Sequence, residues 1–238
     1  MTDIRYLEFF KNKVLSKEKN PVLFEEKIQA CYEISNSSNV IWGYFDLETC
    51  NINPKGDFRD GTIIEIGSIC DGETFSELCN PGFPINNSNI HGITTEDVKF
   101  KDITKIVLKK YFEWLEGLKK SPDDLIVLIA HNGANFDRKV LLNHIRVMKL
   151  QKPNGVYIAD SLYAIKGALG LKKGGLEHAY QHLFGEEYIE KHRALEDTKD
   201  LKSIIDNILR SKTRQNLIFS KTIYTNYKDG ILHYKEKS

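Results

Sequence analysis

The chain has 238 residues, of which 41% are hydrophobic and 28% charged, with a formal net charge of +1. This length supports one decorated domain that buries its own core without disulfides or a structural metal. No apolar run approaches the roughly 20 residues of a membrane-spanning helix, and the near-zero net charge rules out attraction of a polyanion by the whole protein's field, leaving local basic patches for that task.

Met1 to Lys13 mixes acidic, basic and aromatic residues, unlike the apolar core and small-residue cleavage site of a secretory signal. The four cysteines, Cys31, Cys50, Cys70 and Cys79, form no C-x-x-C pair. They read as free thiols, so an intracellular location, cytoplasmic or nuclear, is expected.

Residues 1–38 are expected to be an N-terminal helical extension split at Asn20-Pro21, with Leu7, Phe10 and Val14 on one face and Phe24, Ile28 and Cys31 on another. The core pattern starts with a strand from Val40 to Phe45 that ends in Asp46-Leu47-Glu48. A second strand over Thr62 to Cys70 meets the turn pair Asp71-Gly72, and Thr74 to Leu78 returns antiparallel. Ile103, Val107, Tyr111, Trp114 and Leu118 recur at helical spacing up to Ser121-Pro122. Leu125 to Ala130 then reads as a buried strand, Val140 to Met148 as a helix, Val156 to Ala159 as a strand, and Leu176 to Leu183 and Leu201 to Ile208 as helices. Strand pairs first and alternating elements afterwards predict an α/β domain over residues 39–211, with a mixed sheet whose antiparallel hairpins come first, flanked by helices. Residues 212–238 form a tail in which Asp229-Gly230 marks a small hairpin or a poorly ordered end.

The acidic residues are individually weak signals. Asp46 and Glu48 alternate through Leu47 and so project to one side of a strand, an arrangement that favours a cation. Asp137 follows the strand at Leu125 to Ala130 and opens a helix, where capping alone would also explain it. His192 precedes Asp197 by five residues, so the two converge on one pocket only if His192 lies in the segment that enters the helix. Paired lysines read as solvated helix faces, except Lys172-Lys173 in a Gly-flanked loop, which is a candidate phosphate contact. His178 and His182 have the spacing of a zinc hydrolase, but Ala179 stands where the catalytic glutamate belongs, so zinc is not expected.

Taken together, Phe45-Asp46-Leu47-Glu48-Thr49, His131-Asn132-Gly133-Ala134-Asn135-Phe136-Asp137 and His192-Arg193-Ala194-Leu195-Glu196-Asp197 resemble, in order, the three motifs of the DEDDh exonucleases of the RNase H-like superfamily. Ile63-Ile64-Glu65-Ile66-Gly67 and His91-Gly92-Ile93-Thr94 fit the family's second strand and the loop that borders the bound 3′ end. The resemblance covers about Val40 to Arg210. It implies a five-stranded RNase H-like sheet and a 3′ to 5′ exonuclease that releases 5′ mononucleotides. It also implies two Mg²⁺ ions, with Mn²⁺ as a substitute, held by Asp46, Glu48, Asp137 and Asp197, and His192 as general base. Leu47, Thr49, His91, Ile93 and Asn132 become candidates to hold the terminal nucleotide.

The chemistry agrees with this assignment. Carboxylate oxygens suit hard divalent cations, paired cations serve phosphodiester hydrolysis, and an imidazole accepts a proton from the attacking water near neutral pH. The expected partner is nucleic acid with a free 3′ end, single-stranded DNA slightly favoured, and a polymerase is a further candidate through the extensions. The alternatives are an exoribonuclease and a catalytically silent nucleic-acid-binding or scaffolding module. The latter is disfavoured because all five key positions are intact.

Overall fold

A computed structural model describes residues 37, 39–50, 61–185, 188 and 191–209. The expected N-terminal extension and C-terminal tail therefore lie outside the described residues, apart from Ser37. The strands are β1 (Val40–Cys50), β2 (Thr62–Cys70), β3 (Glu73–Leu78), β4 (Leu125–Ala130) and β5 (Val156–Asp160). The helices are α1 (Ser88–His91), α2 (Thr95–Val98), α3 (Thr104–Gly117), α4 (Asp137–Met148), α5 (Leu162–Leu169), α6 (Leu176–Phe184) and α7 (Ala194–Leu209).

The strands form one five-stranded sheet in the order β3-β2-β1-β4-β5. β1 pairs antiparallel with β2 and parallel with β4, and β4 pairs parallel with β5, so β1 is the central strand of a mixed sheet. Alternation along β1 divides the core. Phe45 and Leu47 face Val107, Leu108 and Tyr111 of α3 and Val140 and Leu141 of α4. Tyr44 faces the opposite layer, with Ile165 of α5, Leu176 of α6, and Leu201 and Ile204 of α7. A smaller cluster of Cys50, Ile64, Ile85, Ile93 and Val98 closes the end of the sheet where β1 terminates. α4 is tied to the sheet by His144, whose Nε2 accepts from the Ile63 N–H at 3.3 Å while its Nδ1–H donates to the Val140 carbonyl at 2.9 Å.

Two differences from the sequence expectation bear on function. β1 does not end at Phe45 but runs through Asp46, Glu48 and Cys50, because β2 pairs with it over that whole stretch, with a bulge between Glu48 and Thr49. The sequence pattern does not predict α5 either. Its sequence, LYAIKGAL, is apolar nearly all round and therefore lacks the polar face that reveals a helix by periodicity. Among the described residues no helix is long and apolar enough to cross a membrane.

Candidate active site

The site is built at the end of β1 that projects past β4. Parallel pairing with β4 reaches Tyr44↔Ile129, while the antiparallel ladder with β2 continues through Asp46↔Gly67, Leu47↔Ile66 and Glu48↔Glu65. On the β4 side the Leu47 N–H donates to Asp137 Oδ1 at 3.2 Å, so the first residue of α4 takes the place a longer β4 would have filled. The alternation that buries Phe45 and Leu47 turns Asp46 and Glu48 to the opposite face.

α7 covers that face. Gly67, opposite Asp46, makes the approach possible. A Cβ there would lie 2.3 Å from both the Ala194 carbonyl carbon and the Leu195 nitrogen, so only glycine lets the helix start this close to the strand. Thr198 Oγ1 donates to the Ala194 carbonyl at 2.6 Å and lies 3.3 Å from the Gly67 carbonyl, seating the first turn. The consequence is a group of three carboxylates, Asp46, Glu48 and Asp197, each offering an oxygen within 4.8 Å of the others. Unit charges about 4 Å apart repel by about 4 kcal/mol at an effective dielectric constant near 20. Such a group is stable when a cation neutralises it, and the positive end of the α7 dipole offsets only part of the repulsion. Glu196 is the contrasting neighbour: it turns outward to Lys191 and Lys199, at 3.3 and 2.7 Å.

Asp137 is almost fully buried and is not in that group. Burial, assisted by the charge of Asp160 and opposed by backbone N–H bonds, raises its pKa from the ordinary 3.8 to about 7. Asp160, also buried, accepts the N–H of Asn132 and of Leu162 on Oδ1, at 3.1 and 2.9 Å, and the N–H of Ala134 on Oδ2 at 3.0 Å. It shapes the loop that delivers Asp137 to the site. His192 lies in the segment entering α7, half exposed, with a backbone φ of 50°. Asn132 has φ 61°. Left-handed backbone is uncommon outside glycine, and asparagine and histidine are among the residues that adopt it most readily.

A model described as Exonuclease, RNase_T, matches residues 44–204, a span that contains every carboxylate above together with His192. The chain belongs to the RNase_T exonuclease family. It is 33% identical to Exonuclease DPD1, chloroplastic/mitochondrial, of Arabidopsis thaliana over 124 residues, covering 49% of this chain and 38% of that protein. It is 33% identical to the PolC-type DNA polymerase III of Listeria welshimeri over 125 residues, covering 50% of this chain and 8% of the polymerase. The matched stretch thus spans well under two thirds of either relative. The nuclease domain of 3'hExo, a DEDDh family member solved bound to rAMP, superposes with a TM-score of 0.61 at 19% identity, covering 76% of this chain and 96% of that one. At that identity the likeness is one of fold, the RNase H-like sheet with flanking helices expected from the motifs.

Within this RNase_T exonuclease fold the other candidates divide by what their side chains already do. Leu47 is packed in the main core and Ile93 in the cluster at the end of β1, so either would meet a ligand through backbone. Thr49 is buried, and its carbonyl accepts from Asn87 Nδ2 at 3.0 Å. Asn132 Oδ1 accepts from Asn135 Nδ2 at 2.9 Å. His91 is different. It is buried, its Nδ1 accepts the Ile93 N–H at 3.1 Å, and its Nε2 has no hydrogen-bond partner among the described residues. Burial is the main cause lowering its pKa, so it presents a neutral imidazole with an unanswered Nε2–H. The sequence alone does not single out Asp160 or Arg193, and it presents Glu65 only as part of a strand. Asp160 carries a signal, since it ends an apolar strand just as Asp46 interrupts one. Arg193 carries none outside the motif. His178 and His182 both lie exposed on α6, away from any carboxylate group that meets the metal-site geometry among the described residues.

Proposed function

We propose that the protein is a divalent-metal-dependent 3′ to 5′ exonuclease that releases 5′ mononucleotides and works on single-stranded DNA ends. The observation that carries this reading is the convergence of Asp46 and Glu48 from β1 and Asp197 from α7. All three offer hard oxygen donors and no thiolate joins them, which suits Mg²⁺, with Mn²⁺ as substitute, over softer metals. Bound divalent cations supply charge neutralisation and Lewis acidity for phosphodiester hydrolysis, two of them being the usual number. Asp46, Glu48 and Asp197 hold them, and Asp137 contributes once it has lost its proton. His192 accepts the proton of the attacking water at its imidazole, the side chain best suited to general-base work. His91, through its Nε2–H, and Asn132 flank the site as donors to the terminal nucleotide. Leu47 and Thr49 would contribute backbone, and Ile93 would support His91.

DNA is favoured by the 33% identity to a PolC-type DNA polymerase III, which also makes a polymerase a reasonable partner. The rAMP in the structural neighbour makes RNA the alternative polymer. An intracellular location fits the buried free thiols of Cys50, Cys70 and Cys79.

The test is digestion of 5′-labelled DNA and RNA single strands with Mg²⁺ or Mn²⁺ by wild type and Asp46→Ala. Wild type should yield a descending ladder that keeps its label. The variant should lose at least about 10³-fold in rate, since a metal's Lewis acidity is worth several kcal/mol at 1.36 kcal/mol per decade. Immediate release of labelled mononucleotide would reverse the direction, and full activity of Asp46→Ala would sink the metal site. The faster of the two polymers names the substrate.

A further inference from the structure

Glu65 is directly opposite Glu48 in the β1–β2 ladder, so by position it belongs to the acidic corner, with Cβ atoms about 4.5–5.5 Å apart. Yet it is not one of the carboxylates gathered within 4.8 Å. Its oxygens are engaged elsewhere. Arg193 Nε lies 3.2 and 3.1 Å from Oε1 and Oε2, Arg193 Nη2 donates to Oε1 at 2.7 Å, and the Ala194 N–H donates to Oε2 at 2.9 Å. The pair is asymmetric: the Glu65 side chain is 3% exposed, the Arg193 side chain 46%. The fixed point is the strand, and the element being held is the start of α7.

We infer that Glu65 and Arg193 are positioning residues that dock the N-terminus of α7 on β2 and so set the placement of Asp197 and His192, with Glu65 itself outside the metal ligand set. The inference rests on the exonuclease reading above. Three physical features support it. First, a helix start leaves backbone N–H groups unsatisfied, and here a strand carboxylate answers the Ala194 N–H while placing negative charge at the positive end of the helix. Second, a planar guanidinium held through both Nε and Nη2 fixes orientation, which a single ammonium contact would not. The held residue is flanked by His192 on one side and the first turn carrying Asp197 on the other. Third, the contact at Gly67 has no slack, with backbone atoms 2.3 Å from where a Cβ would be, so a rotation of the helix start is transmitted to Asp197. Arg193 also places its positive charge beside two neighbouring carboxylates, Glu48 and Glu65, that would otherwise repel.

The experiment compares wild type, Asp46→Ala, Glu65→Gln and Arg193→Lys, with Mn²⁺ binding followed by calorimetry alongside kcat and KM on a single-stranded oligonucleotide. Outer-shell partners of metal ligands are typically worth 10–100-fold in affinity or activity. Glu65→Gln should therefore weaken Mn²⁺ binding and lower kcat by about that factor, with KM for the oligonucleotide little changed. Arg193→Lys keeps the charge and loses the fork, so it should show the same pattern to a smaller degree. Arg193 is half exposed, so this variant carries the test even if Glu65→Gln folds poorly. Two outcomes overturn the inference. Variants that only unfold more easily, with wild-type Mn²⁺ affinity and kcat per folded molecule, would make the pair merely structural. Loss in Glu65→Gln with wild-type behaviour in Arg193→Lys would make Glu65 a ligand. Wild type that neither binds Mn²⁺ nor releases mononucleotides would sink the exonuclease reading instead, and Asp46→Ala provides that control.

Discussion

The two corners of sheet that flank the end of β1 treat carboxylates in opposite ways. Between β1, β2 and α7, Asp46, Glu48 and Asp197 bring their oxygens together. Between β4, β5 and α4, Asp160 is enclosed by the backbone N–H groups of Asn132, Ala134 and Leu162, and Asp137 accepts from Leu47. The first corner collects charge, which on the proposed reading a cation neutralises. The second uses acids as building material, with backbone N–H bonds to both and burial favouring the neutral form of Asp137. The same residue type thus gathers charge in one place and builds a loop a strand away.

The largest expected effect that would break this comparison concerns protonation. Asp137 has its pKa raised from 3.8 to about 7 in the folded chain, so the native state holds a proton the unfolded state releases. Its stabilising contribution is complete below pH 3.8 and is lost as pH rises through about 7. The span corresponds to about 4 kcal/mol. His131 and His144, whose pKa values burial lowers from 6.5, work in the other direction, weakening the fold as pH falls below 6.5. The clean readout is therefore the difference between wild type and Asp137→Asn in urea unfolding across this range in EDTA. Wild type should lose stability relative to the variant as pH rises, and saturating Mn²⁺ should remove the difference. Parallel curves would mean that Asp137 is already ionised.

A smaller effect is expected at the first corner from Gly67→Ala, whose Cβ would collide with the backbone of Ala194 and Leu195. Overpacking of this kind costs about 1–3 kcal/mol, and because the displaced element carries Asp197, Mn²⁺ affinity should fall with the urea midpoint. Stability lost without affinity would show that α7 shifts as a whole without moving its carboxylate.

Asp160→Asn should cost about 1–3 kcal/mol, since a carboxamide presents one acceptor and one donor group to backbone N–H donors that need acceptors. Hydrogen exchange should quicken at the amides of Asn132, Ala134 and Leu162. If those amides stay protected, the loop is held by something other than Asp160. The smallest effect belongs to α6: His178→Ala with His182→Ala should change stability by less than about 0.5 kcal/mol and leave Mg²⁺-supported activity intact. A loss restored by zinc would revive the helical histidine pair as a metal site.

Much of this was legible in the sequence, for reasons that differ by element. Leu125 to Ala130 reads as a strand because it is an unbroken β-rich run, and the structure places β4 there. Asp46 and Glu48 on one face follow from alternation alone. Helical geometry lets His192 and Asp197 converge only if His192 lies in the segment entering the helix, and α7 does start at Ala194. What stayed hidden depends on partners remote in sequence. That β1 continues beyond Phe45 depends on its register with β2. That Asp137 stands apart from the other three acids depends on β4 ending before β1 does. Glu65 looks like any polar residue in a strand until Arg193 arrives from 128 residues away.

The central place of β1 also governs when the site comes into being. Asp46 and Asp197 are 151 positions apart in the chain. During synthesis the N-terminal strands emerge first, and contacts between distant segments are slow to form. A nascent or prematurely terminated chain that stops before Ala194 carries Asp46 and Glu48 but lacks α7 and the third carboxylate of the group. On the proposed reading, nuclease competence waits until α7 joins the sheet, and copies that stop before Ala194 are expected to be harmless to the nucleic acid around them.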